Sequence, residues 1–291
     1  MAASVRSLLE SAIDYAGLFP PAGLTMADTV RQHAAYLNGP QAWALGRFVI
    51  SAARLTELEQ AAQELWHPSR RWRISALIAS PAEAAQCQAF NRRHGEDAII
   101  DTVEVKAANA DELAAVLRYV PTTVATYVEI PLAAAALLAP VLATAGVYAK
   151  VRTGGVTAPA FPSCGDLAAF ISACAQARLP FKATAGLHHP LRRVAPFTYE
   201  ANSAAGTMHG FLNVFLAASF LWQGRRIDEV VPVLEESAVD AFRFDAQGVG
   251  WRDQRLDTAS LIACRRDFMR SFGSCSFSEP LTELAALEIL P

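Results

Sequence analysis

Short runs rich in β-branched and aromatic residues alternate along this chain with longer runs rich in alanine, leucine and glutamate. The pattern recurs roughly every 25 to 35 residues, which is the spacing of successive βα units in a parallel sheet. The intervening segments 55–65, 81–92, 110–118, 132–142 and 165–177 have the periodicity of helices. The predicted strands are 47–51, 72–78, 98–105, 123–130, 147–153 and 180–185. These units predict a parallel α/β architecture.

The alternation becomes irregular after the sixth strand. Eight strands would close a barrel, so the predicted fold is a (β/α)8 TIM-like barrel in a single domain over 1–291, with 1–40 as an N-terminal capping segment. A doubly wound open sheet is the alternative, but the chain has no G-x-G-x-x-G turn and no G-x-x-x-x-G-K-[ST] loop to mark a nucleotide site. The later elements are predicted as helices at 211–222, 227–236 and 260–272, a seventh strand at 240–245 and an eighth at 274–278.

Composition and charge limit the partners of the chain. The formal net charge is -3, and the sequence has no basic cluster of the size that nucleic-acid binding requires, so no nucleic-acid partner is predicted. Hydrophobic residues make up 53% of the chain and charged residues only 18%. Part of the apolar surface is therefore expected to be covered by self-association, and a homo-oligomer is predicted.

Two long uncharged stretches, 130–149 and 201–223, reach the length of a membrane span. Prolines interrupt the first, and the second has polar residues near its start, as expected of a core helix whose first turn faces a cleft. No membrane association is therefore predicted. The five cysteines are widely spaced without a C-x-x-C pair, and acidic residues precede any apolar signal core. Reduced thiols and a cytoplasmic location are expected.

Polar residues occur in i, i+2 pairs near the ends of several predicted strands. Alternate residues of a barrel strand face inward, so such pairs should project into the barrel mouth, where barrel enzymes carry out their chemistry. The pairs are Glu104 with Lys106, Tyr127 with Glu129, Lys150 with Arg152, and Lys182 with Thr184. Buried parallel strands are normally apolar, which makes these residues candidates for function. The alternative is a buried ion-pair network in which Lys150 and Lys182 only neutralise Glu104 and Glu129.

The fifth predicted strand ends in a turn suited to anion binding. Arg152 and Thr153 are followed by Gly154 and Gly155, and a Gly-Gly turn can expose successive backbone N–H groups. With Arg152 beside it, the turn could hold a phosphate or a carboxylate. These four residues, together with Thr184, His209 and Asn213, are predicted to bind a small anionic substrate.

The sixth strand has the order Lys-Ala-Thr-Ala-Gly-Leu at 182–187. This order resembles the lysine strand of class I aldolases of the deoxyribose-phosphate aldolase type, and the resemblance implies a Schiff base on Lys182. It also implies Lys150 or Glu129 as a partner for pKa tuning or proton transfer. The chain as a whole, through its segments 14–21 and 273–277, resembles a bacterial (β/α)-barrel family without an assigned activity.

The charge state of Lys182 separates two possible chemistries. A lysine is a nucleophile near neutral pH only if burial or a nearby cation lowers its pKa from about 10.4. Lys150 and Arg152 on the adjacent strand could supply that cation. If Lys182 instead keeps its charge, it would act as a fixed electrophile for a carboxylate, enolate or phosphate oxygen.

Three histidines form a second candidate constellation. His188 and His189 are adjacent and point in opposite directions in an extended segment, so one of them is expected to meet His209 in the cleft beside Asn213. His188 or His209, with Glu104 or Glu129, is expected to act as the general acid or base that moves protons. No cofactor is predicted to be required, but a divalent metal on His188, His189 and His209 with a carboxylate is the alternative.

Two further residues have a structural interpretation and a functional alternative. Asp14 precedes a Gly-Leu-Phe-Pro-Pro turn and is expected to cap a helix or to lie at the surface, and the alternative is that it reaches the pocket. Cys275, between serines and near Glu279, is a nucleophile candidate, but it is expected in the core because no histidine lies near it in sequence. The predicted function is that of a carbon–carbon lyase or isomerase acting on a small anionic carbonyl or phosphorylated compound. A metal-dependent lyase, isomerase or hydrolase and a non-catalytic binding barrel are the alternatives.

Overall fold

The computed structural model describes residues 2–290. These residues form thirteen strands and eleven helices. The strands are β1 (Ile13–Tyr15), β2 (Leu45–Ser51), β3 (Trp72–Leu77), β4 (Ala98–Lys106), β5 (Ala125–Glu129), β6 (Tyr148–Arg152), β7 (Phe181–Thr184), β8 (Arg193–Pro196), β9 (Ala205–Met208), β10 (Phe242–Phe244), β11 (Gly248–Trp251), β12 (Gln254–Asp257) and β13 (Met269–Ser274). The helices are α1 (Ala3–Leu9), α2 (Met26–Asn38), α3 (Leu55–Ala62), α4 (Pro81–His94), α5 (Ala110–Leu117), α6 (Ala135–Thr144), α7 (Cys164–Gln176), α8 (Phe211–Trp222), α9 (Ile227–Glu235), α10 (Thr258–Asp267) and α11 (Ser278–Ala286).

Eight parallel strands close into a barrel, which confirms the predicted (β/α)8 fold. β1 to β7 follow one another around the barrel, and β13 pairs with both β7 and β1 to complete it. Helices follow most strands after short loops, and a side-chain cap starts several of them. Ser80, Asn109 and Ser163 each accept a hydrogen bond from the backbone N–H three residues later, which satisfies an amide that the helix itself leaves unpaired.

The first barrel strand lies in the segment that the sequence analysis assigned to a cap. The assignment of 1–40 as a capping segment was wrong for Ile13–Tyr15, which pair in parallel with β13 on one side and β2 on the other. The strand has only three residues, and its central residue is Asp14. A strand this short with a charged centre has no hydrophobic pattern to reveal it.

The long connection between β7 and β13 departs from the prediction. The segment 240–245, predicted as the seventh barrel strand, contains β10, which pairs antiparallel with β11 in a separate three-stranded sheet. Its alternation of buried and exposed residues is typical of a sheet with one solvated face. The last barrel strand is β13, which begins at Met269 inside the predicted helix 260–272 and ends where the eighth strand was predicted to start. α10 ends at Asp267.

The apolar core fills the space between the strands and the surrounding helices. α8 is buried along almost its whole length, because it packs against β13 on one side and α7, α9 and α10 on the others. Among the helices of residues 2–290, none combines the length and the apolar composition needed to cross a bilayer. The barrel interior is different from this core, since charged and hydroxyl side chains project into it from β1, β3, β4, β6 and β7.

Candidate active site

A chain of alternating charges crosses the barrel interior near the carboxyl ends of the strands. It is formed by Asp14, Lys182, Glu104, Lys150 and Glu129, in that order, and is called the charge chain below. Lys150 lies in register with Lys182 on one side and with Glu129 on the other, so the sheet register itself places these groups together. The predicted convergence of the strand-end lysines and glutamates is therefore present. Asp14 also belongs to the charge chain, although it was expected at a helix cap or at the surface.

Lys182 occupies the most enclosed position of the charge chain. Its Nζ lies 2.5 Å from Asp14 Oδ2 and 2.7 Å from Glu104 Oε1, and the residue is 1% exposed. Burial alone would lower the pKa of Lys182, but the two carboxylates outweigh it and raise the pKa above its ordinary value. The ammonium form is therefore the stable one, which favours the second of the two chemistries considered for this lysine.

Serine hydroxyls complete the surroundings of Lys182. Ser271 donates a hydrogen bond to Asp14 Oδ2 at 2.8 Å, and Ser75 donates to Glu104 Oε1 at 2.7 Å. Asp14 is fully buried and also accepts a hydrogen bond from the backbone N–H of Arg47. The expectation that Asp14 caps a helix or lies at the surface was wrong, because β1 carries it into the barrel. These bonds satisfy buried carboxylate oxygens that would otherwise be costly.

Lys150 lies beside Lys182 but in a different environment, at the edge of a cavity. Its Nζ is 2.7 Å from Glu104 Oε2 and 2.9 Å from Glu129 Oε2, and its side chain contributes to the wall of a cavity at the barrel mouth. Burial raises the pKa of Glu104, but the two ammonium groups lower it far more, so Glu104 is a carboxylate. The pKa of Glu129 is lowered in the same way, with Arg152 at 3.3 Å as an additional cation. Both glutamates are thus ionised.

The cavity at the mouth has a volume of about 290 Å³, which suits a small molecule. Several of the predicted site residues contribute to its wall, and so do apolar residues from the βα loops. Its lining is Ala16, Phe19, Pro20, Val49, Leu77, Glu104, Lys150, Arg152, Gly155, Val156, Thr184, Ala185, His188, Gly273 and Cys275. One wall is therefore cationic and another carries a histidine and a thiol.

Thr153 and Gly154 have structural roles, contrary to the prediction that they bind substrate. The Thr153 hydroxyl donates to the carbonyl of Ala185 at 2.6 Å, which ties the end of β6 to the end of β7. Gly154 packs against Gly186 so closely that an added Cβ would lie 2.8 Å from the Gly186 Cα. Both residues thus hold the two strand ends together, and Gly155 is the residue of the turn that reaches the cavity.

Asn213 and His209 are also structural. The side chain of Asn213 donates to the carbonyls of Val233 and Glu236 and accepts from the backbone N–H of Arg192, so its hydrogen-bonding capacity is used in joining helix to loop. His209 Nε2 bonds to the carbonyl of Pro162 at 2.8 Å, and burial lowers the pKa of its imidazole. One of His188 and His189 was predicted to meet His209, and in the structure His188 contacts Cys275 and Glu279 while His189 contacts Glu283.

A cluster around His188 was missed by the sequence analysis. Cys275 Sγ lies 3.9 Å from His188 Nδ1, Glu279 Oε2 lies 3.3 Å from the same nitrogen, and the Tyr199 hydroxyl donates to Glu279 at 2.8 Å. The pKa of His188 would fall through burial, but Cys275 and Glu279 raise it to about 9. Cys275 is buried, as expected of a core residue, but barrel closure gives it the histidine neighbour that the sequence did not show, 87 positions away.

The residues able to hold a metal differ from the predicted set. His189, Glu279 and Glu283 each offer a ligand atom, and these atoms lie within 4.8 Å of one another. His189 Nδ1 lies 2.8 Å from Glu283 Oε1. Of the predicted ligands, His188 faces Cys275 and Glu279, and His209 is bonded to Pro162. An imidazole with two carboxylates is a donor set that zinc or manganese accepts.

Comparison with known protein families and with curated proteins gives no matching family and no significant curated relative. The resemblance of the Lys182 strand to class I aldolases therefore stays a prediction. The closed barrel is compatible with many activities, so the fold does not select one of them. The features of this barrel that bear on its activity are the charge chain and the mouth cavity.

Proposed function

We propose that this barrel is an enzyme, a carbon–carbon lyase or isomerase that acts on a small anionic carbonyl compound through an enolate. The proposal assigns the electrophilic role to the charged amine of Lys150 and assigns no Schiff base to Lys182. The observation that carries it is the position of Lys150. Lys150 contributes to the wall of the mouth cavity, and Glu104 and Glu129 fix its ammonium group at 2.7 and 2.9 Å.

Fixed charge is the contribution expected of Lys150 and Arg152. An ammonium group that two carboxylates hold in place does not need to reorganise when negative charge develops on a substrate oxygen, and in a sheltered cavity such a charge is worth more than in water. Arg152 lines the same cavity and is 46% exposed on its side chain, so it can turn toward an entering carboxylate or phosphate. Lys150 then faces the oxygen of the enolate.

His188 is assigned the proton transfer. It lines the cavity, and its pKa of about 9 makes it an imidazolium at neutral pH, so it can protonate an enolate carbon or oxygen. In the reverse direction the neutral imidazole removes the same proton. Glu104 lines the cavity too, but two lysines lower its pKa and make it a weak base. Its role in this proposal is to hold both lysines.

Isotope exchange provides the test. The protein is incubated in D2O with a panel of 2-oxo acids and phosphorylated aldehydes or ketones, and loss of the proton next to the carbonyl is followed by proton NMR. Lys150→Met should lower the exchange rate by about 100-fold or more, because an oriented charge is removed from the developing oxyanion. Lys106→Met is the matched control, since Lys106 is 70% exposed at the end of β4. Binding of a panel member without exchange would favour the non-catalytic barrel instead.

Schiff-base chemistry is tested in the same reactions. The whole sequence contains three lysines, Lys106, Lys150 and Lys182, so reduction with borohydride and mass mapping give an unambiguous answer. The proposal expects exchange with no substrate-derived mass on any of the three. A trapped adduct on Lys182 would restore the class I aldolase interpretation and overturn the assignment of Lys150 as a charged electrophile.

A metal-dependent reaction is a second candidate, favoured by the group formed by His189, Glu279 and Glu283. Titration calorimetry with Zn²⁺ and Mn²⁺ measures whether the group binds a metal. His189→Ala should abolish binding, whereas His209→Ala should not, because His209 bonds to Pro162 away from these ligands. If neither metal binds, this candidate is removed and the charge-based proposal is untouched.

Self-association and a cytoplasmic location remain proposals from composition. One feature of the surface supports self-association: the uncharged helix α6 exposes Leu137 and Val141, at 70% and 44%. Neighbouring exposed aliphatic side chains on one helix are costly in water and are often covered by a second subunit. Light scattering during size exclusion, with Leu137→Glu as the variant, measures the oligomeric state.

A further inference from the structure

The thiol of Cys275 is placed as the thiols of enzymatic nucleophiles are. Sγ lies 3.9 Å from Nδ1 and 4.0 Å from Nε2 of His188, so it faces the ring edge that carries both nitrogens. Glu279 Oε2 lies 3.3 Å from the same Nδ1. A thiol, an imidazole and a carboxylate in mutual contact are the components with which enzymes generate a thiolate and stabilise the resulting imidazolium.

Tyr199 fixes the carboxylate of this arrangement. Its hydroxyl lies 2.8 Å from Glu279 Oε2 and 3.6 Å from Cys275 Sγ. A phenol has one proton to donate, and the shorter contact assigns it to the carboxylate. Glu279 is thereby oriented toward His188, which lies beside the thiol. The cluster joins four parts of the chain: the residue after β13, the segment after β7, the segment between β8 and β9, and the first turn of α11.

The other cysteines of the chain provide an internal comparison. Cys87, Cys164, Cys174 and Cys264 lie on α4, α7 and α10, and burial raises the pKa of each of their thiols. Such thiols are poor nucleophiles because the thiolate is the reactive form. Cys275 follows β13 at the carboxyl end of the barrel and contributes to the wall of the mouth cavity. A substrate in that cavity would meet this thiol.

The cavity also determines what kind of substrate the thiol would meet. Gly273 of β13 and Arg152 of β6 both lie in register with Thr184 of β7, so Arg152 and Cys275, which directly follows β13, lie on either side of β7. Strand axes lie about 4.8 Å apart, which puts the two backbones about 10 Å from each other. A compound of a few carbons can span that distance with its anionic group on Arg152 and an electrophilic carbon at Sγ.

We propose that Cys275, with His188 and Glu279, is a nucleophile that attacks the carbonyl carbon of a small anionic aldehyde or ketone held by Arg152. The thiol proton resides on His188 as the imidazolium, the thiolate forms the S–C bond, and the electron pair of the C=O π bond moves to oxygen. The imidazolium then protonates that oxygen. The product is a hemithioacetal or hemithioketal, and nothing is oxidised or reduced. The substrate class rests on the anion site of the proposed function, but the nucleophile does not depend on enolate chemistry.

Alkylation with two reagents of different charge tests the nucleophile and its anion site together. Iodoacetamide is neutral and iodoacetate carries a carboxylate, and mass mapping gives the rate at each of the five cysteines. In the unmodified protein, Cys275 should react about tenfold or more faster than the other four, because thiolate formation sets the rate. This comparison needs no variant. Equal labelling of all five cysteines would overturn the proposal.

Variants separate the roles of the neighbouring groups. His188→Asn should slow labelling of Cys275 by both reagents at least about tenfold, and Glu279→Gln should slow it less. Arg152→Gln should slow iodoacetate several-fold and leave iodoacetamide unchanged, whereas Arg243→Gln, on the exposed face of β10, should change neither. Circular dichroism checks that each variant is folded. An unchanged rate in folded His188→Asn would remove the pair, and an unchanged iodoacetate rate in Arg152→Gln would remove the anionic substrate.

The outcome is independent of the isotope-exchange experiment, because alkylation requires no turnover. Selective labelling of Cys275 without exchange on any carbonyl compound would support the nucleophile and reject the enolate function. Exchange that depends on Lys150 without selective labelling would do the reverse. The adduct itself can be sought with glyoxylate, a small anionic aldehyde, whose carbonyl carbon labelled with ¹³C should move from the aldehyde to the hemithioacetal region of the NMR spectrum and stay unmoved in Cys275→Ser.

Discussion

The two lysines of the charge chain lie opposite each other in register on neighbouring strands, yet they face different surroundings. Lys182 is enclosed by Asp14 and Glu104, and a serine hydroxyl supports each of these carboxylates. Lys150 shares Glu104 but looks toward the mouth cavity, and its other carboxylate is held by a half-exposed arginine. The same residue type at the same height in one barrel is thus enclosed in the interior in one case and contributes to the wall of the mouth cavity in the other.

The difference comes from what closes the barrel on each side. β13 stands next to β7 and β1 next to β13, and β1 brings Asp14 against Lys182 while Ser271 of β13 bonds to Asp14, so that amine is surrounded by protein. β5 and β6 bring Glu129 and Arg152 to Lys150 at a point where the loops leave a cavity. A charged group in a strand is therefore not in itself a sign of function. Its access to a cavity distinguishes the two cases.

The largest expected effect is a difference in the free energy of unfolding between variants of the two lysines. Lys182→Met leaves the buried carboxylates of Asp14 and Glu104 facing each other without their shared cation, and removal of one partner of a buried ion pair costs about 3 to 5 kcal/mol. Lys150→Met should cost about 1 to 2 kcal/mol, because Glu104 keeps Lys182 and Glu129 keeps Arg152. Urea unfolding measures both free energies. Equal losses would show that the two lysines have the same role.

A second prediction compares how the ionisable groups of the mouth and of the interior make stability depend on pH. The pKa of His188 is about 9 in the folded protein and near 6.5 in the unfolded chain, so its stabilising effect is complete below about pH 6.5 and disappears as the pH rises through 9. The pKa of Lys182 is raised and that of Glu104 is lowered, so their pairs keep their charges throughout this range. The free energy of unfolding should fall by on the order of 3 kcal/mol between these pH values.

His188→Gln isolates the contribution of the histidine. The decline between pH 6.5 and 9 should be largely absent in the variant, since glutamine does not titrate. His209→Gln is the control: burial lowers the pKa of His209, so its titration falls below this window. An equally steep decline in His188→Gln and in the unmodified protein would show that another group is responsible.

The sequence supported prediction of one half of the molecule much better than the other. The strands β2 to β7 follow regular hydrophobic runs with helices between them, and their ends carry the i, i+2 polar pairs that revealed Glu104, Glu129, Lys150 and Lys182. Period-two alternation tells which side chains point inward, and a charge at an inward position of a buried strand is a strong signal. A further signal lay in the composition, because all three lysines of the chain are at or near strand ends.

The remaining site residues depend on contacts between distant segments. Asp14 lies on a three-residue strand with no periodicity, and Cys275 meets His188 only because β13 closes the barrel beside β7. The sequence also did not distinguish polar residues that could bind substrate from polar residues that form structural hydrogen bonds. Thr153 and Asn213 were predicted to bind substrate, yet both use their polar atoms on backbone carbonyls. Sequence shows which residues can form hydrogen bonds, but the partner is decided by packing.

The smallest expected effect concerns the serines that distinguish the two lysine environments. Ser271→Ala removes the hydroxyl that donates to Asp14 Oδ2, and loss of a buried hydrogen bond to a charged group should cost about 1.5 kcal/mol. Arg152→Gln, at the exposed end of the charge chain, should cost less than about 1 kcal/mol. Ser7→Ala is the control, because that exposed hydroxyl bonds only to the preceding helical turn. If Arg152→Gln were the more destabilising variant in urea, the mouth and not the interior would hold the charge chain together, and Lys150 would lose its separate assignment to substrate.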